Sequence, residues 1–125
     1  MHKEEYILAT LRKIEEAAAR VISYSENIDS YQYYYLSPAG MERLESTCML
    51  LIAIGESIKG VDKLTDKKLL PLYTEVDWKG AMGIRDIIAH HYFDLDAEIV
   101  YNVVKNDLPL LLSTIRLMIA DLLNE

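Results

Sequence analysis

The chain has one cysteine, three prolines and five glycines in 125 residues. A lone cysteine, Cys48, excludes an intrachain disulfide framework and any multi-cysteine zinc site. So little glycine and proline argues against a turn-rich β sandwich. No apolar run reaches the ~18 residues of a membrane span. The charged start, Met1 to Tyr6, lacks the apolar core of a signal peptide. A soluble protein in the reducing cytoplasm is the expectation. Basic residues are also few: net charge is −7, which disfavours a broad electrostatic nucleic-acid binder. DNA binding is not expected, and a small local RNA site stays open. The three histidines do not suggest a metal site, because His90 and His91 are adjacent and His2 is terminal. What is present is hydrophobic content of 51% and charged content of 26%, which is globular. A chain of this size should expose roughly 6,800 Å² when folded, leaving room for one core and one domain over residues 1–125.

The periodicity is helical almost throughout. Tyr6, Ile7, Leu11, Ile14, Ala18, Val21 and Ile22 step by three and four, predicting a helix from residue 3 to about 27. A tyrosine run, Tyr31 to Tyr35, follows; without interleaved lysine or arginine it reads as loop packing or a dimer rim rather than an RNA-stacking platform. Ser37-Pro38 marks the start of a second helix, with Gly60 as its expected stop. Residues 65–70 suggest a short helix cut by Pro71. Asp77 should cap a third helix from Trp78 to about Ala89 or His91. Asp94 or Asp96 should cap a fourth, and Asp107 with Pro109 should break the chain before a last helix. No segment reads as a strand. The expected fold is an all-α, single-domain antiparallel bundle of four to five helices.

The chemistry-bearing stretch runs from Ile84 to Asp94. On a helix, Ile84, Ile87 and His91 would share the apolar side. Asp86 and His90, four apart, would be neighbours, and Arg85 and Tyr92, seven apart, would realign. Arg85 and His90 would diverge by about 140°, so they share a site only if the helix ends near Ala89 or a second protomer contributes. Each residue also has a plain reading. Arg85 could form a surface salt bridge, His90 could favour a helix C-terminus, and Tyr92 could be a buried anchor. Trp78 and Cys48 read as core, Glu56 is open to either the third helix or a cleft, and Lys63, Lys67 and Lys68 read as a solvated face.

Arg85, His90 and Tyr92 together resemble the Arg-x4-His-x-Tyr signature of HepT toxins, helical proteins of the HEPN superfamily. Ile54-Gly55-Glu56-Ser57, Val76-Asp77-Trp78, Tyr92-Phe93 with Asp94, and Leu108-Pro109 fit the same pattern, as does the polar Asp86 after the arginine. The resemblance spans nearly the whole chain. It implies a HEPN-like bundle and a metal-independent endoribonuclease acting on tRNA or mRNA as a homodimer, without a cofactor. It implies Arg85 and His90 as catalytic residues and Asp86 as a supporting one. It further implies a toxin silenced by an MNT-type nucleotidyltransferase antitoxin that transfers AMP to Tyr92. The alternative is a non-catalytic subunit that binds nucleotide or substrate for such a nucleotidyltransferase.

Overall fold

A computed structural model describes residues 2–91 and 94–124, with residues 89–91 described by their backbone alone. The fold is all-α apart from one small hairpin. Helix α1 spans His2–Tyr24 and α2 spans Pro38–Leu64. Two short helices follow, α3 (Trp78–Met82) and α4 (Ile84–Ile88). Strands β1 (Ala89–His91) and β2 (Asp94–Leu95) pair antiparallel. Helices α5 (Ala97–Asn102) and α6 (Leu108–Leu123) complete the chain. Helix α1 packs between α2 and α6, and α3, α4 and α5 lie against α2. Of the apolar stripe of α1, Ile7, Leu11, Ile14, Ala18 and Val21 are buried in one core with Leu44, Leu51, Ile58, Ile115 and Met118, whereas Tyr6 at its start is exposed and Ile22 is only partly buried. No described helix is long and apolar enough to cross a membrane.

Local chemistry sets most boundaries. Ser37 caps α2 by accepting from Gly40 N–H at 3.0 Å, with Pro38 in the first turn. Gly60 does not stop α2. It lies on the exposed side, where glycine is tolerated, and the helix ends beyond Leu64. There Asp66 and Lys67 adopt left-handed φ values of 54° and 61°, and Lys67 N–H donates to the Asp62 carbonyl at 2.8 Å. The short helix expected over 65–70 is instead a 3₁₀ turn, Leu70–Leu72, that begins around Pro71. Asp77 and Asp96 cap α3 and α5. Trp78 is only partly buried, with its indole N–H donating to the Tyr73 carbonyl at 2.7 Å.

The expected break at Asp107 and Pro109 is a widening of the helix. Val103–Asp107 forms a π segment that joins α5 to α6, and Leu108 N–H reaches back to the Val103 carbonyl. Proline has no N–H to donate, and its ring crowds the carbonyl four residues earlier. A wider turn accommodates both without ending the helix.

Tyr31–Tyr35 forms a 3₁₀ turn capped by Ser30. It sits so close to α2 that a Cβ on Gly40 would collide with the Tyr33 carbonyl oxygen and lie 3.2 Å from Tyr34 Cα. Tyr34 is fully buried, and its hydroxyl finds no partner among the described residues. Burial pushes its pKa from 10.0 to about 12, with Tyr24, Cys48, Tyr101 and Tyr33 adding to the rise. Burial likewise pushes the Cys48 thiol from 9.0 to about 11, with Glu45 adding. Both groups are neutral acids. Above its ordinary pKa the unfolded chain releases a proton that the folded chain still holds, so stability falls with rising pH. The loss attributable to Tyr34 runs from pH 10.0 to about 12. Tyr34→Phe removes an unsatisfied buried hydroxyl and should stabilise the fold by about 1 kcal/mol at neutral pH. It should also flatten the alkaline loss. Urea melts at neutral pH and above pH 10.0 check both parts, and a destabilised phenylalanine variant would mean that the hydroxyl is satisfied.

Candidate active site

The site is built on α4. Ile84 and Ile88, four residues apart, are both buried and fasten the helix to the core. That orientation turns Arg85, Asp86 and Ile87 outward, and all three are exposed. Among the described residues Arg85 has no salt-bridge partner. Its planar fork of five guanidinium donors is therefore open to an anion such as phosphate.

Gly55 lets α3 and α4 approach α2. A Cβ there would stand 2.8 Å from the Ala81 carbonyl oxygen and 2.7 Å from Ile84 Cγ2. Both are shorter than real contacts allow, so only glycine fits without movement. A glycine inside a helix is unfavourable by about 1 kcal/mol, and its presence in an otherwise good helix was the legible signal of close approach. Glu56 beside it is half exposed, pairs with Lys59 at 3.7 Å and does not line the groove described below. Lys63, Lys67 and Lys68 are all exposed.

The third helix does not run on to Ala89 or His91. It bends at Gly83, and α4 ends at Ile88. The Ile88 carbonyl accepts from Asp96 N–H at 3.3 Å, closing the base of a hairpin instead of continuing the helix. Ala89 pairs with Leu95 and His91 with Asp94, with a bulge between. This corrects three expectations. A strand exists where none was read, Asp86 and His90 are not a helical i,i+4 pair, and His91 is not on a helical apolar stripe. The 140° divergence of Arg85 and His90 also lapses, because extended backbone replaces the last helical steps. The helical alignment of Arg85 with Tyr92 lapses for the same reason, and Tyr92 itself lies outside the described residues.

Beside α4 lies a groove of about 460 Å³, lined by Leu51, Ile54, Ile84, Ile87, Leu110 and Leu111 among others. Ile87 and Leu110 are 39% and 45% exposed, so the apolar lining continues onto open surface. Carboxylates of Glu75, Asp77 and Asp107 rim the groove. Arg85 is not in the lining.

The model of the family described as "Ribonuclease HepT-like" matches residues 7–118, which runs from within α1 to within α6 and takes in the whole Arg85–Tyr92 segment. The chain belongs to the HepT-like ribonuclease family. Two proteins of Methanocaldococcus jannaschii, each bearing the name "Putative RNase", are similar to this HepT-like chain. One is 33% identical over 75 residues, covering 60% of this chain and 59% of that protein. The other is 28% identical over 106 residues, covering 82% of this chain and 87% of that protein. No solved structure matches the chain significantly. Membership of the HepT-like family supports ribonuclease function. It agrees with the all-α architecture, and the family's HEPN superfamily is the one that the sequence motifs resemble.

Proposed function

We propose that this protein is a metal-independent endoribonuclease that cleaves tRNA or mRNA in a site shared by two protomers. The observation that carries the reading is Arg85, exposed and without a salt bridge among the described residues, on a helix that ends at Ile88 just before the strand Ala89–His91 that contains His90. RNA supplies its own nucleophile. The 2′-hydroxyl attacks the adjacent phosphorus as a base takes its proton, and the 5′-oxygen leaves as an acid returns one. His90 does this proton work, and the second protomer supplies a second histidine. Arg85 stabilises the extra negative charge of the phosphorane. Asp86 supports the site by positioning His90 or the RNA.

The apolar surface beside α4 supports the dimer. The chain exposes 7907 Å², about 1,100 Å² more than the roughly 6,800 Å² expected for its mass. A standard interface removes about 800 Å² from each partner. A second copy seated over Ile87 and Leu110 would cover open apolar surface and bring two α4 helices together. Paired Arg85 side chains would then focus positive potential in one cleft of an otherwise acidic protein.

In this reading the protein is a cytoplasmic toxin, silenced when an MNT-type nucleotidyltransferase antitoxin transfers AMP to Tyr92. Each AMP adds about one negative charge and large bulk, which would compete with RNA for Arg85. Co-expression with such a partner should raise the intact mass by steps of ~329 Da per AMP. Tyr92→Phe should abolish the steps. Unchanged mass and unchanged toxicity in both proteins would remove the switch.

The test of the activity is cleavage of total tRNA in EDTA by unmodified protein beside His90→Ala. Cleavage by the wild type alone is expected. If neither cuts, the reading as a non-catalytic nucleotide- or substrate-binding subunit of the nucleotidyltransferase replaces it.

A further inference from the structure

We propose that Tyr35 is a positioning residue that holds the hairpin carrying His90 against the body of the fold. The proposal rests on the ribonuclease reading for its catalytic consequence, and on geometry for the tether itself.

The hairpin cannot fix its own position. Its strands are three and two residues long, and an isolated two-stranded hairpin is marginal in water. What aims it must act at its base. On one side the base is α4, through the Asp96 N–H to Ile88 carbonyl bond. On the other side it is the junction of β2 with α5. There the Asp96 carboxylate accepts from Glu98 and Ile99 N–H at 3.1 and 3.2 Å. That leaves Ala97 N–H, which belongs to a fully buried residue. It donates to the Tyr35 hydroxyl at 3.2 Å. The same hydroxyl donates to the Leu95 carbonyl at 3.5 Å, a long bond that lies on the other side of Asp96. One side-chain oxygen thus brackets the residue that closes the hairpin.

The tether is anchored at its other end. Tyr34, the preceding residue, is fully buried, and the 3₁₀ turn is pressed onto α2 at Gly40. Tyr35 therefore reaches across 60 residues of sequence from a rigid support to the strand that pairs with His90's own. The residue is 53% exposed, so the hydroxyl rather than core packing accounts for its role. This gives the tyrosine run a second use besides loop packing.

Tyr35→Phe, in the full-length protein, removes the oxygen and keeps the ring. Tyr33→Phe removes a hydroxyl from the same turn and serves as the control. Amide exchange at residues 94–97 should accelerate in Tyr35→Phe and stay at the wild-type rate in Tyr33→Phe. With tRNA in EDTA, the Tyr35→Phe cleavage rate should fall about tenfold, the size of a small misplacement of a catalytic group. The midpoint of its pH–rate profile should also move by about 0.5 unit as the surroundings of His90 change. A smaller folded fraction would scale that profile without moving its midpoint. Wild-type exchange in Tyr35→Phe, or an unaltered rate and midpoint beside an active wild type, would overturn the proposal. If the wild type cuts no RNA while exchange in Tyr35→Phe still accelerates, the ribonuclease reading falls and the tether stands.

Discussion

Arg85→Ala should lower RNA cleavage by about 10²–10³-fold, because in the proposed mechanism it removes the group that meets the charge developing on the phosphorane. Substrate binding should change far less, since many other phosphates contribute to affinity and only one reacts. The fold should not notice. Arg85 is exposed and holds no salt bridge among the described residues, and such surface changes stay within about 0.5 kcal/mol. Arg85→Lys is the sharper variant. It keeps the charge and loses the planar fork, so it should recover only part of the rate. His90→Ala should cost about 10²–10⁴-fold, the range for a lost general acid or base. The double variant should be little worse than the poorer single one, as for residues that act as a unit. Single-turnover cleavage with thermal melts in parallel checks all four proteins. Full activity in Arg85→Ala with an unchanged melt would place the chemistry elsewhere.

Gly55→Ala and Gly60→Ala should move stability in opposite directions, although both put alanine into the same helix. Gly60 has no atom within 4 Å of a new Cβ, so alanine there collects its helix propensity and stabilises by about 1 kcal/mol. Gly55 has the Ala81 carbonyl oxygen at 2.8 Å. That oxygen is backbone and cannot swing aside, so α3 and α4 must shift together. Overpacking of this kind costs about 1–3 kcal/mol, which outweighs the same propensity gain. The two melting temperatures should therefore separate by several degrees, at about 4 °C per kcal/mol for a chain of this size. Cleavage should separate too. Gly55→Ala displaces the helix that bears Arg85, whereas Gly60→Ala touches nothing near it. Equal stabilisation of both would contradict the close packing of α2 on the α3–α4 junction.

Much of this protein is decided within a few residues of each position. The apolar steps of α1, Ser37-Pro38 before α2 and the cap at Asp77 are local facts, and the elements form where those signals stand. Arg85, His90 and Tyr92 are likewise legible as a spacing, and the matched family extends across them. The sequence read as helix through Ala89 failed because helical periodicity says where a helix is favourable, not what competes for its last carbonyls. At Ile88 the competitor is Asp96 N–H, brought back by a hairpin whose base is fastened to Tyr35, far away along the chain. The π segment before Pro109 and the passage of α2 through Gly60 have the same character. A breaker residue raises the local free energy by an amount that tertiary packing can exceed. The long helices and the choice of Arg85, His90 and Tyr92 as the proposed reactive side chains therefore came from the sequence alone. Where the reactive segment leaves its helix, and which distant hydroxyl holds it there, only the tertiary structure decided, because those bonds join residues that no local window contains.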